Sequence, residues 1–97
     1  MPPTPINKQP MTKDLTVLRK EIDAVDEQLL LLIDRRVGIA REIGQWKREH
    51  DEPVIQAQRY QEVLNHYMEL GASKGLSEDL VRAVFEALHK ESVRVEL

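Results

Sequence analysis

The sequence predicts an all-α fold of three helices, one long, one short and one medium. Three observations carry that expectation. Apolar residues recur in steps of three and four along most of the chain. No stretch keeps a period of two, and no hairpin turn separates two apolar runs. Turn-forming residues interrupt the helical pattern twice, around Pro53 and between Gly71 and Gly75.

Met1 to Lys13 carries Pro2, Pro3, Pro5 and Pro10 and has no apolar period, so it reads as a flexible leader or the remnant of a linker. The folded domain is expected over residues 14–97. Its first helix follows Asp14, the expected N-cap. Leu15, Leu18, Ile22, Val25, Leu29, Leu32, Arg36, Ile39, Ile43 and Trp46 then form a seam held for more than four heptads, with one cation inside it. The His50-Asp51-Glu52-Pro53 stretch ends this helix.

The second helix is expected from about Gln56 to Leu70, with Tyr60, Val63, Leu64, Tyr67 and Met68 on its apolar side, and Gly71 and Gly75 bracket the break after it. The third starts at Ser77, a good N-cap, with Glu78 and Asp79 favourable in its first turn. Val81, Val84, Phe85, Leu88 and Ser92 mark its buried stripe.

A chain of 97 residues is one domain at most, and a core that small is marginal. With no cysteine, neither disulfides nor thiolate metal sites are available to reinforce it. Oligomerisation is the remaining usual device. A first helix of about 36 residues would be about 54 Å long, against a radius of gyration near ~13 Å for a domain of this size. Two shorter helices cannot cover such a rod, so its apolar stripe calls for a second copy, in a symmetric homodimer. A non-specific coiled coil would satisfy the stripe equally well.

The net charge of −3 excludes broad electrostatic binding to nucleic acid. No apolar run approaches the roughly 20 residues that span a bilayer, and the N-terminus lacks a signal-peptide core, so a cytoplasmic protein with no membrane partner is expected. Any cationic site must be local. Arg36 stands in the seam among apolar neighbours, where a buried guanidinium needs a partner. It either sets register, pairs with an acid of a partner helix, or holds an anion. Lys47, eleven residues on, falls on nearly the same face, about 16 Å further along. Arg59 precedes Tyr60 on the second helix and is either solvated or turned to the same pocket. Arg19 lies about 25 Å from Arg36 along the rod. If two copies cross antiparallel near residue 31, Arg19 of one faces the Arg36–Lys47 segment of the other. The cations then converge on a small, multiply charged anion at each end of the dimer.

Other chemistries lack their residues. There is no glycine-rich phosphate loop and no paired-histidine metal motif, so no cofactor or metal is expected. His50, His66 and His89 are scattered and read as solvated, and Ser73, Ser77 and Ser92 stand in no nucleophile motif. A cationic pocket without a general base suits a reaction that needs confinement and electrostatic stabilisation.

The runs LRKEIDAVDEQLLLLIDRR, IAREIGQWKREHDEPV and SEDLVRAVFEALHKESV resemble the AroQ, all-helical type II, chorismate mutase family, over essentially Leu15 to Leu97. REIGQWKREH followed by PVIQ is most similar to mutase modules fused to a DAHP synthase, which makes a synthase domain or partner an expectation and the leader a candidate linker. The resemblance implies an intertwined three-helix homodimer that rearranges chorismate to prephenate, for phenylalanine and tyrosine biosynthesis, without cofactor. It also implies roles. Arg19 would cross from the partner protomer to hold a substrate carboxylate, and Arg36 would clamp a carboxylate from within the chain. Lys47 would bridge a carboxylate and the ether oxygen whose bond breaks. Arg59 would assist from the second helix, and Ser92 would touch a carboxylate or support the wall.

Gln56 stands where many members carry Asp, and Tyr60 where many carry the Glu that contacts the ring hydroxyl; Gln56 can hydrogen-bond a hydroxyl, and Tyr60 either does so through its phenol or simply packs. Glu96 matches the position of a Gln or Glu that donates to the ether oxygen. An ionised carboxylate cannot donate, so Glu96 is expected to work protonated, unless it is frayed and solvated near the end of the third helix. Two other functions use the same residues. An isochorismate-pyruvate lyase would employ the same cations on a related dianion, and a regulatory or docking module for a DAHP synthase would use the helices without turnover.

Overall fold

A computed structural model describes residues 13–97. The leader reading therefore lies outside the described residues except at Lys13, which precedes the first helix and pairs with Glu21 at 2.7 Å. Three helices follow: α1 over Leu15–Glu49, α2 over Ala57–Ser73 and α3 over Glu78–Glu96. The described residues contain no strand. They fall into two units, one ending at Asp34 and the other comprising Arg35–Leu97.

In the first unit, Asp14 is the N-cap of α1, its carboxylate accepting from Val17 N–H at 2.9 Å. The seam residues Leu15, Leu18, Ile22, Val25, Leu29 and Leu32 are all exposed, by 44–60%. Leu30 and Leu31 widen the stripe.

The second unit holds the rest of α1 with α2 and α3. Its buried hydrophobic residues are Ala40, Leu64 and Val81, one from each helix. Tyr67 stacks on Phe85 with centroids 4.5 Å apart, joining α2 to α3. Val84, expected in the stripe of α3, is instead exposed, because the inward face runs through Val81, Phe85, Leu88 and Ser92.

The expected end of the second helix at Leu70 is corrected, while the expected break at Gly75 holds. α2 continues through Gly71 to Ser73, and Gly71 is buried there because it packs against α3: a Cβ on it would meet Val81 Cγ2 at 2.6 Å. Termination falls to Gly75, whose φ of 75° only glycine adopts without strain. Leu76 N–H donates to Gly71 C=O and Gly75 N–H to Ala72 C=O, which closes a Schellman motif. Ser77 then caps α3, its hydroxyl accepting from Leu80 N–H at 3.1 Å. α1 ends in the same way, with Glu52 N–H donating to Lys47 C=O at 2.8 Å, but there Asp51 takes the left-handed position with φ 55°.

Candidate active site

A cavity of about 510 Å³ opens within the second unit, lined from all three helices and the α1–α2 loop. α1 contributes Arg36, Ile39, Ala40, Ile43 and Lys47, in steps of three, one, three and four that keep them on one face. The loop adds Val54 and Gln56, α2 adds Arg59, Tyr60 and Val63, and α3 adds Phe85, His89, Ser92, Val93 and Glu96. Seven of the eight residues named from the sequence thus meet in one pocket. Arg19 is the exception: it is an exposed residue of the first unit and does not line the cavity.

Arg36 is half-buried and held by neutral groups. Its Nη1 donates to Ser92 Oγ at 2.7 Å and to Leu88 C=O at 3.3 Å. It forms no ion pair among the described residues. The bonds aim the guanidinium while leaving its charge uncompensated, and a desolvated cation in that state attracts an anion.

Lys47 Nζ donates to Glu96 Oε1 at 2.7 Å and to Val54 C=O at 2.9 Å. The Lys47 and Glu96 side chains are 14% and 9% exposed, so this ion pair is sheltered from water. Glu96 is not frayed; it is the one buried charged residue among those described. Gln56 directs its amide to Pro53 C=O at 3.2 Å and stands at the N-cap position of α2. Arg59 is exposed at the rim. Tyr60 is half-buried and stacks on His89, centroids 3.9 Å apart and rings 20° from parallel.

His89 was expected to be solvated, and that is corrected. It is half-buried in the pocket wall because Phe85, His89, Ser92 and Glu96 follow one another by four, three and four residues on a single face of α3. That spacing was available in the sequence; the stacking partner, from another helix, was not. Val54 had no signal, since its contribution is a backbone carbonyl. No group of three or more His, Asp or Glu among the described residues is placed to hold a metal ion.

Residues 18–97 match the family model for chorismate mutase type II. The chain is 31% identical over 85 residues to a 4-amino-4-deoxychorismate mutase of Streptomyces pristinaespiralis, covering 88% of this chain and 66% of that protein. It is 32% identical over 79 residues to the bifunctional chorismate mutase/prephenate dehydratase of Escherichia coli, covering 81% of this chain and 20% of that protein. Among solved structures, a conserved hypothetical protein from Pyrococcus furiosus matches with a TM-score of 0.71 and 32% identity, over 89% of this chain and 99% of that one. The chain thus spans about two thirds of the first of these relatives and a fifth of the second.

Proposed function

This chain belongs to the chorismate mutase type II family, and from that premise we propose that it is an isomerase that rearranges chorismate to prephenate in the pocket of its second unit. The carrying observation is Arg36, a half-buried cation fixed by Ser92 Oγ and Leu88 C=O without a counter-charge among the described residues. Chorismate brings two carboxylates, and Arg36 is placed to take one of them.

The reaction is a Claisen-type 3,3-shift: the ether C–O bond breaks as a C–C bond forms, and the protein makes no bond to substrate. Its tasks are to hold the folded conformer and to stabilise negative charge growing on the ether oxygen. Arg36 and Arg59 bind carboxylates, while Lys47 leaves its partner Glu96 to serve a carboxylate and the ether oxygen. Glu96, in its protonated form, donates to the same oxygen. Gln56 and Tyr60 address the ring substituent.

The site is completed in a homodimer, where Arg19 of the partner subunit enters the pocket. Support comes from the first unit, whose seam of Leu15, Leu18, Ile22, Val25, Leu29 and Leu32 is exposed in the single chain. Apolar exposure on that scale marks an association surface. The intertwined form, a cytoplasmic setting and a DAHP synthase partner or fused domain rest on the resemblance of the sequence.

A second substrate has an observation behind it, since one relative is a 4-amino-4-deoxychorismate mutase. An ammonium on the ring would want a carboxylate beside it, and the one carboxyl lining the pocket among the described residues, that of Glu96, is assigned to the ether oxygen. The hydroxyl-bearing substrate is therefore the better fit. The test is a product assay with chorismate, 4-amino-4-deoxychorismate and isochorismate offered separately. Prephenate from chorismate is the expected result. Pyruvate from isochorismate alone would make the protein a lyase, and no turnover from a folded dimer would make it a docking module.

A further inference from the structure

Glu96 is gripped by three residues of α1 at once. Gly44, Lys47 and Arg48 occupy positions i, i+3 and i+4, one face of the helix. Lys47 takes the Glu96 carboxylate at 2.7 Å. Gly44 is buried against the Glu96 backbone, where a Cβ would stand 2.6 Å from Glu96 Cα and 2.9 Å from its carbonyl oxygen. Arg48 Nη1 donates to that carbonyl oxygen at 2.7 Å. Arg48 does not line the cavity, so whatever it does for the reaction it does through Glu96.

We propose that Arg48 is a positioning residue that, with Gly44 as its seat, locks the last turn of α3 so that the Glu96 carboxyl stays in the pocket. The inference rests on the reading of Glu96 as the group that meets the ether oxygen. The physical reason lies in the helix end. The last four carbonyls of a helix lack intrahelical partners, and the final turn frays unless something binds them. A guanidinium is suited to that place, since it donates with full charge where the helix dipole is negative. Gly44 removes the one side-chain atom that would keep α1 too far away for the bond. Lys47 alone cannot fix the turn, because a substrate that draws off its ammonium leaves the carboxyl held only through its backbone.

The test compares Arg48→Met, Arg48→Lys, Glu96→Ala and the double variant Arg48→Met/Glu96→Ala in the full chain, with chorismate. Arg48→Met is expected to lower kcat about tenfold, the scale of one lost charge-assisted bond, while KM moves less than about twofold. Arg48→Lys should recover most of the loss. In the Glu96→Ala background, Arg48→Met should change kcat no further, because its route to the reaction is gone. Amide hydrogen exchange of residues 93–97 should quicken in Arg48→Met while that of residues 85–90 holds. Independent losses in the double variant, or unchanged exchange at residues 93–97, would overturn the clamp. Absence of chorismate turnover by the unmodified chain would sink the enzymatic reading instead, and the exchange measurement would then decide the clamp alone, with unchanged protection counting against it.

Discussion

Lys47 and Glu96, separated by 49 positions in the chain, form a sheltered ion pair with Nζ and Oε1 2.7 Å apart, and both side chains line the pocket. In this state Glu96 accepts a hydrogen bond, whereas the role proposed for it is to donate one. In the proposed mechanism Lys47 must leave Glu96 before either group can serve the ether oxygen.

Glu96→Gln places a permanent donor beside the ether oxygen and should keep or raise kcat/KM, whereas Glu96→Ala, which can donate nothing, should lower it about tenfold or more. Initial rates with chorismate for the two variants check this; equal rates would remove Glu96 from the mechanism.

Arg36→Ala removes a half-buried pocket cation that has no acidic partner among the described residues. The expected loss is about 10²–10³-fold in kcat/KM, the range for removing one preorganised charged donor. The proposed dimer should persist, as measured by sedimentation. Ser92→Ala should cost less, about 3–10-fold, because it frees one hydrogen bond of the guanidinium without removing its charge.

Gly44→Ala should destabilise the fold although alanine is the better helix former. The helix-propensity gain is about 1 kcal/mol. Against it stands a new Cβ at 2.6 Å from the Glu96 backbone, which cannot swing aside as a side chain would. Overpacking of that kind costs about 2–3 kcal/mol. A net loss of about 1–2 kcal/mol in urea unfolding is the expected result, and a gain would contradict the close approach of α1 and α3.

Asp51→Gly should act in the opposite direction. Asp51 holds φ at 55° after α1, a conformation that strains any residue with a Cβ. Relief of that strain, less the extra freedom glycine has in the unfolded chain, leaves a gain of about 0.5–1 kcal/mol. Thermal unfolding measures it directly.

Ile22→Glu tests the association surface. Ile22 is 60% exposed in the single chain, so the substitution should leave the monomer's helix content unchanged. It should lower the fraction of dimer in sedimentation and take activity with it if the partner's Arg19 completes the site. A tight dimer with unaltered activity would place the interface elsewhere.

The three helices, the cap at Asp14 and the cap at Ser77 were legible in the sequence because they are local. A period of three to four and a side chain reaching a backbone N–H three residues on need no information from distant chain. Arg36, Lys47, Gln56, Arg59, Tyr60, Ser92 and Glu96 were likewise singled out by residue type, spacing and resemblance. Helical class and the identity of the charge-bearing residues are thus local information. Packing set the rest: Arg36 takes neutral partners, Lys47 faces Glu96, and His89 stacks on Tyr60. It also decided that Gly71 continues a helix rather than ending one, since only the nearness of Val81 makes a missing Cβ necessary there. The division has one physical cause: these contacts join residues on different helices, and their geometry exists only once the helices pack.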